Sequence, residues 1–198
     1  EPLAVVADPS AVTKPFDVAL DAASVDVPAA AGLQDARWIL PVVRGLGYGD
    51  FVVDDATLKF ISTSLHQIPD PLTRGSALVL LWESMLEARI TSAAVMEQLM
   101  AALPGETEQL TISRMLDYAR AGFWRFTAAD NRTELAPRLE RVIRAGLDRA
   151  KTTAAKSAWF GALRSIATTP ESLAWLEQVW NHKVKVPGLP FAENDEAD

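Results

Sequence analysis

Between Pro41 and Asp54 the period of the chain changes, and no single uniform architecture can accommodate both sides of that change. Upstream, Phe16, Val18 and Leu20 alternate with smaller or polar residues, the period of a strand with one buried face. Downstream, Leu58, Ile61, Leu65 and Ile68 recur at helical spacing. The junction itself reads Pro-Val-Val-Arg-Gly-Leu-Gly-Tyr-Gly-Asp-Phe-Val-Val-Asp. The chain therefore divides into a β-type leader and a helical body.

The leader offers few strands. Leu3 to Val6, Phe16 to Leu20 and Val25 to Val27 are β-type patches separated by Asp-Pro, Lys-Pro and Val-Pro steps, and Trp38 to Leu40 and Phe51 to Val53 flank the glycine-rich turn as two more. A sandwich needs more strands than these. The leader, residues 1–53, is expected either to pair with strands outside this sequence or to pack as a small sheet on the helices; its reading as the remnant of a β-sandwich domain is what the resemblance given below implies.

From residue 54 every long segment reads as helix. Asp54-Asp55 places acids at a helix start, where the dipole and the unpaired amides favour them. Asp70-Pro71 is a capping Asp followed by Pro at the first helical position, and it opens a run through Trp82 to Leu86 that is apolar on nearly all sides and must be covered by neighbours. Thr91-Ser92 starts a helix with Val95, Leu99 and Leu103 on one face, stopped by Pro104-Gly105. A helix from Glu106 carries Ile112, Met115, Ala119 and Phe123; after a loop at 128–131 follow helices with Leu135, Leu139, Val142 and Gly146, then with Ala155, Trp159, Ala162 and Ile166. Thr169-Pro170-Glu171 opens the seventh, with Leu173, Leu176 and Trp180. Connections of a few residues favour antiparallel neighbours in chain order. The expected fold is mainly α: an α-helical superhelix of HEAT-like antiparallel pairs over residues 54–183, preceded by the strand segment, with a closed bundle as the alternative. Residues 184–198 form a tail whose acids, Glu193 to Asp198, suit a truncated helix start or a solvated end.

Composition removes several functions. The chain has 198 residues, 49% hydrophobic, a formal charge of −7 and no cysteine. That charge disfavours nucleic acid, whose binders concentrate Lys and Arg. No thiol nucleophile or thiolate metal site can form, and no apolar run approaches the roughly 20 residues that cross a bilayer. The compartment stays open.

Nothing in the sequence assembles a catalytic centre. His66 and His182 lie on separate segments with no second ligand at metal spacing. Ser64, His66 and Asp70 lack a nucleophile elbow. Gly45-Leu46-Gly47-Tyr48-Gly49 misses the spacing of a dinucleotide or phosphate loop and reads as a structural turn, with Tyr48 packed on the helices. Glu106 and Glu108 read as capping residues. The remaining candidates are Arg74 and Trp82 on one helix pair and Arg120, Trp124 and Arg125 on the next. On the concave side of a helical stack they would contact a peptide. The plainer reading puts the tryptophans in the core and pairs the arginines with acids.

Trp38-Ile39-Leu40-Pro41, Gly45 to Asp54, Ile68 to Gly75, Leu81 to Met85 and Ala102 to Glu106, in that order and spacing, resemble the C-terminal region of aminopeptidase N family zinc metallopeptidases. Val186 to Asp195 also looks like a family segment that precedes a further helix. Val42 stands where the family commonly has Asn. The resemblance implies a β-sandwich strand ending in a Gly-Tyr motif and leading into a superhelix that caps a catalytic domain. It also implies that the zinc ligands, the substrate-amine motif and the catalytic Tyr lie upstream, because no residue here matches them. On this expectation the chain holds no cofactor, zinc belongs to the parent enzyme, and the partners are the upstream catalytic domain of the same polypeptide and peptides. The chain alone would not be an enzyme. The alternative is a free-standing α-solenoid scaffold that binds a protein or peptide in its groove.

Overall fold

The computed structural model describes residues 2–6, 14–19, 21–31, 38–41 and 50–189. The glycine turn at 45–49, Tyr48, Val42, Leu20 and the acidic tail lie outside the described residues. Three strands and seven α-helices are described: β1 (Pro2–Val6), β2 (Lys14–Asp17), β3 (Trp38–Leu40), α1 (Asp55–Ser64), α2 (Pro71–Leu86), α3 (Ser92–Ala102), α4 (Gln109–Ala121), α5 (Ala129–Arg149), α6 (Thr153–Ile166) and α7 (Pro170–Trp180). The fold is mainly α with a short strand segment, as expected. Contacts cluster into two compact units, Glu1–Gln98 and Leu99–Asp198, and α3 crosses from one to the other.

In the first unit the strands form an antiparallel sheet in the order β2-β1-β3, with Leu3 opposite Phe16 and Val5 opposite Ile39. Two expected strands are absent. Residues 25–27 are irregular and lead into a single 3-10 turn at Pro28–Ala30, since a proline follows at once and removes a ladder donor. Residues 51–53 are also irregular, because their bonding serves another purpose: the Val53 carbonyl accepts from Arg89 Nη2 at 2.6 Å, tying the entry of α1 to the end of α2.

β3 is short yet tightly placed. Trp38 and Leu40 are buried while Ile39 points outward, and Trp38 stacks on Phe60 of α1 with centroids 5.2 Å apart. The Ile39 amide donates to the Thr57 hydroxyl at 2.8 Å, and that hydroxyl donates to Asp54 Oδ2 at 2.6 Å. Asp54 Oδ1 accepts from the Thr57 amide at 3.0 Å, so one carboxylate caps α1 and orients the hydroxyl that closes the strand. The same Asp-x-x-Thr cap recurs at α2, where Asp70 accepts from the amide and hydroxyl of Thr73 at 2.7 and 2.6 Å. α2 then buries Ala77, Leu78, Leu80, Leu81, Trp82 and Met85, as a helix apolar on most sides must.

In the second unit α4 starts at Gln109, not Glu106. Glu106 folds its carboxylate back to accept from the amides of Thr107 and Glu108 at 2.8 and 2.9 Å, a local turn that competes with helix. α4 ends in a π turn over Gly122–Phe126, closed by the Thr127 hydroxyl donating to the Gly122 carbonyl at 2.9 Å. Residues 129–131, expected in a loop, form the first turn of α5, which runs through Pro137.

α5 and α6 are antiparallel. Lys156 reaches the Leu147 carbonyl at 3.4 Å, Trp159 lies against Gly146, and the residues just after α6 meet Glu140 near the middle of α5. α7 returns in the direction of α5, bringing Trp175 beneath the Arg144 guanidinium, 3.5 Å from its ring centroid. Gly146 makes the α5–α6 contact possible: a Cβ there would stand 2.4 Å from the Trp159 ring.

Candidate binding groove

The five residues nominated from sequence separate by role. Arg74, in the first turn of α2, is buried and donates through Nη1 to the carbonyls of Ile68 and Pro69 at 2.6 and 3.2 Å. Those carbonyls follow the 3-10 turn Leu65–Gln67, so Arg74 ties that turn to the start of α2. Trp82 lies in the core of the same unit. Both are engaged in packing and backbone satisfaction within the first unit.

Arg120 and Trp124 are brought together in the second unit. A groove of about 310 Å³ runs between α4 and α6, lined by Ser113, Asp117 and Arg120 on one side and Ser157, Gly161, Arg164 and Ser165 on the other. Open space faces Gly161 where a side chain would stand. Trp124, 43% exposed, adjoins the groove because its indole Nε1 donates to the Ser165 carbonyl at 2.7 Å. Phe123 meets its ring edge-on at 5.0 Å and Arg132 lies 5.2 Å from its centroid, which fixes the indole plane. Arg125 is exposed on the π turn beside it.

Arg120 and Asp117 approach to 3.4 Å with 56% and 67% of their side chains exposed. A pair so hydrated contributes about 0–1 kcal/mol, and an incoming anion can displace it at little cost. The α6 wall went unread in the sequence although a signal was present. Ser113, Asp117 and Arg120 fall at i, i+4 and i+7, and so do Ser157, Gly161 and Arg164. Two helices with the same small-polar-Arg stripe form a channel where they face each other.

A larger groove, about 1070 Å³, separates α5 from α7 and includes Arg141, Arg144, Asp148, Glu171, Trp175 and Gln178. Arg144 is held by the Trp175 face and by Asp148 at 3.6 Å. At its base Glu140, 2% exposed, accepts from the Thr168 and Thr169 amides at 2.8 and 3.1 Å, from the Thr168 hydroxyl at 3.3 Å and from the Thr169 hydroxyl. Burial pushes the Glu140 carboxyl up, but hydrogen bonds from Ser172, Thr169 and the Thr168 and Thr169 amides outweigh it and hold the group below the ordinary glutamate range. This glutamate is structural: it caps α7 from across the stack.

Among the described residues no group of three or more His, Asp or Glu is placed to hold a metal ion. The described donors therefore do not fit a zinc site. No described helix is long and apolar enough to cross a membrane. Comparison with protein-family models and with curated proteins gave no match.

Proposed function

We propose that this chain is the non-catalytic C-terminal capping region of a zinc-dependent aminopeptidase, shaping peptide access to an active site that precedes Glu1. The observation that carries the reading is the transition at 38–57. A strand whose sequence resembles the last strand of the family's β-sandwich is tied by Thr57 and Asp54 to the first helix of a helical body. Further support comes from the resembling segments at 68–75 and 81–85, whose Asp70 and Arg74 organise the start of α2.

In this reading the metal and its ligands belong to the preceding part of the polypeptide, where zinc would activate water for hydrolysis of N-terminal residues. This chain's own residues would bound the space above that site and orient a peptide. The test is the coding sequence upstream of Glu1. The reading expects a His-Glu-x-x-His helix followed by a distal Glu ligand; an upstream sequence without them refutes it. The purified chain with added zinc is expected to release no arylamine from aminoacyl-arylamides, and zinc-dependent turnover by it would overturn the assignment. The α4–α6 groove favours a second reading, a free-standing helical scaffold, which an open reading frame starting near Glu1 would support.

A further inference from the structure

The chain has three asparagines, and only Asn131 has a hydroxyl residue two positions on: Asn131-Arg132-Thr133, with no proline between. That tripeptide is the acceptor pattern for N-linked glycosylation, which adds a bulky hydrated group and so needs a surface position. Asn131 stands in the first turn of α5, and both it and Thr133 are exposed. Its side chain has no partner among the described bonds, and it lines neither groove. Arg132 between them turns toward Trp124, its guanidinium 5.2 Å from the ring centroid. The same surface carries Trp124 at 43% and Phe126 at 41% exposure, two large aromatic rings that the π turn leaves partly in water.

We infer that Asn131 is a site of N-linked glycosylation, the donor being an oligosaccharide carried as a lipid-linked pyrophosphate. In the transfer the Nδ2 nitrogen bonds to the anomeric carbon as the bond from that carbon to the pyrophosphate oxygen breaks. The lipid pyrophosphate leaves with the electron pair, one amide proton passes to a base of the transferring enzyme, and nothing is oxidised or reduced. The helix is no obstacle, because transfer acts on the emerging chain and an isolated first turn does not persist before it is packed. In the folded protein Asn131 lies off the face of α5 that buries Ala136, Leu139 and Ile143, so a glycan there projects into water. Its innermost sugars come within reach of Trp124 and Phe126, whose rings offer them an apolar bed. The inference is independent of the aminopeptidase reading: that reading fails on the upstream coding sequence, and this one fails on the mass of a single peptide.

The test is peptide mapping of the protein from its natural source. Trypsin cuts after Arg125 and Arg132, so the peptide Phe126–Arg132 isolates the site. It is expected as a glycopeptide, and an N-glycan amidase acting in water labelled with heavy oxygen should return it with a labelled aspartate in place of the asparagine. The full chain, sent through a secretory pathway behind an added signal peptide, should migrate as a heavier species that the amidase collapses to the bare mass. Thr133→Ala and Asn131→Gln should each abolish that shift with the circular dichroism unchanged, and Thr133→Ser should keep it. Release of the glycan should also make tryptophan fluorescence more readily quenched by acrylamide, as Trp124 is uncovered. The inference is overturned by an unmodified Phe126–Arg132 peptide from the natural protein, by a shift that survives Thr133→Ala, or by quenching that does not change on glycan release.

Discussion

Replacing Glu140 should destabilise the second unit through a helix other than the one that carries it. The carboxylate accepts from the amides and hydroxyls of Thr168 and Thr169 and from Ser172, the two amides being those that open α7, while Thr169 in turn accepts from the Ser172 amide at 3.2 Å. Hydrogen bonds to a charged group contribute about 1.5–3 kcal/mol. Thr168 is exposed and Thr169 half-buried, so water can replace part of what is lost in Glu140→Ala. A net loss of about 3 kcal/mol is expected at pH 7, roughly 6–12 °C in Tm for a chain of this size. Glu140→Gln keeps one acceptor oxygen for the amides but loses the charge, and should cost about 1–2 kcal/mol. The pH dependence has a fixed sign. The folded-state pKa lies below the ordinary 4.5, so the stabilisation is complete above that value and is lost as pH falls through the folded pKa. Urea unfolding followed by circular dichroism at pH 7 and at pH 3 measures both effects. The wild-type advantage over Glu140→Gln should shrink at the lower pH. A loss under about 0.5 kcal/mol for Glu140→Ala, or a Glu140→Gln deficit unchanged by acid, would refute the reasoning.

Two further outcomes follow from close contacts. Gly146→Ala should destabilise by about 1–3 kcal/mol despite the better helix propensity of alanine, because its Cβ would stand 2.4 Å from the Trp159 ring; thermal unfolding of Gly146→Ala with Trp159→Leu should show partial rescue, and additive losses would count against the contact. Thr57→Val removes the donor to Asp54 and the acceptor for the Ile39 amide at constant shape, and should cost about 1–3 kcal/mol and speed hydrogen exchange at Ile39, with unchanged exchange arguing against the tie.

Helix starts were legible in the sequence because their chemistry is local. Asp54, Asp70, Thr91 and Thr169 each accept an amide three residues on, and Pro71 and Pro170 occupy first positions, so type and register could be read within a few residues; the Thr152 cap of α6 was not read. Residues 51–53 misled because their β-type side chains serve burial of Val53 while the backbone bonds to Arg89, a partner 36 positions away. Trp82 lies in the core, as the plainer reading of the sequence had it, whereas Arg74 is held by the carbonyls before α2. Glu140 and the Arg144–Trp175 stack went unread for a related reason. On a lone helix each is an ordinary polar position, and its role exists only once α7 returns beside α5.

The Thr57 hydroxyl gives the small sheet a polarity of growth. Because it takes the outward amide of Ile39, a strand arriving beside β3 would have no donor at that position and would meet α1 instead. The side beyond β2 has no such stop among the described bonds. The sheet is thus one-ended, closed by the helical body at β3 and extendable only past β2, so a larger β-layer built on this chain would place β3 at its margin and the helices at its terminus.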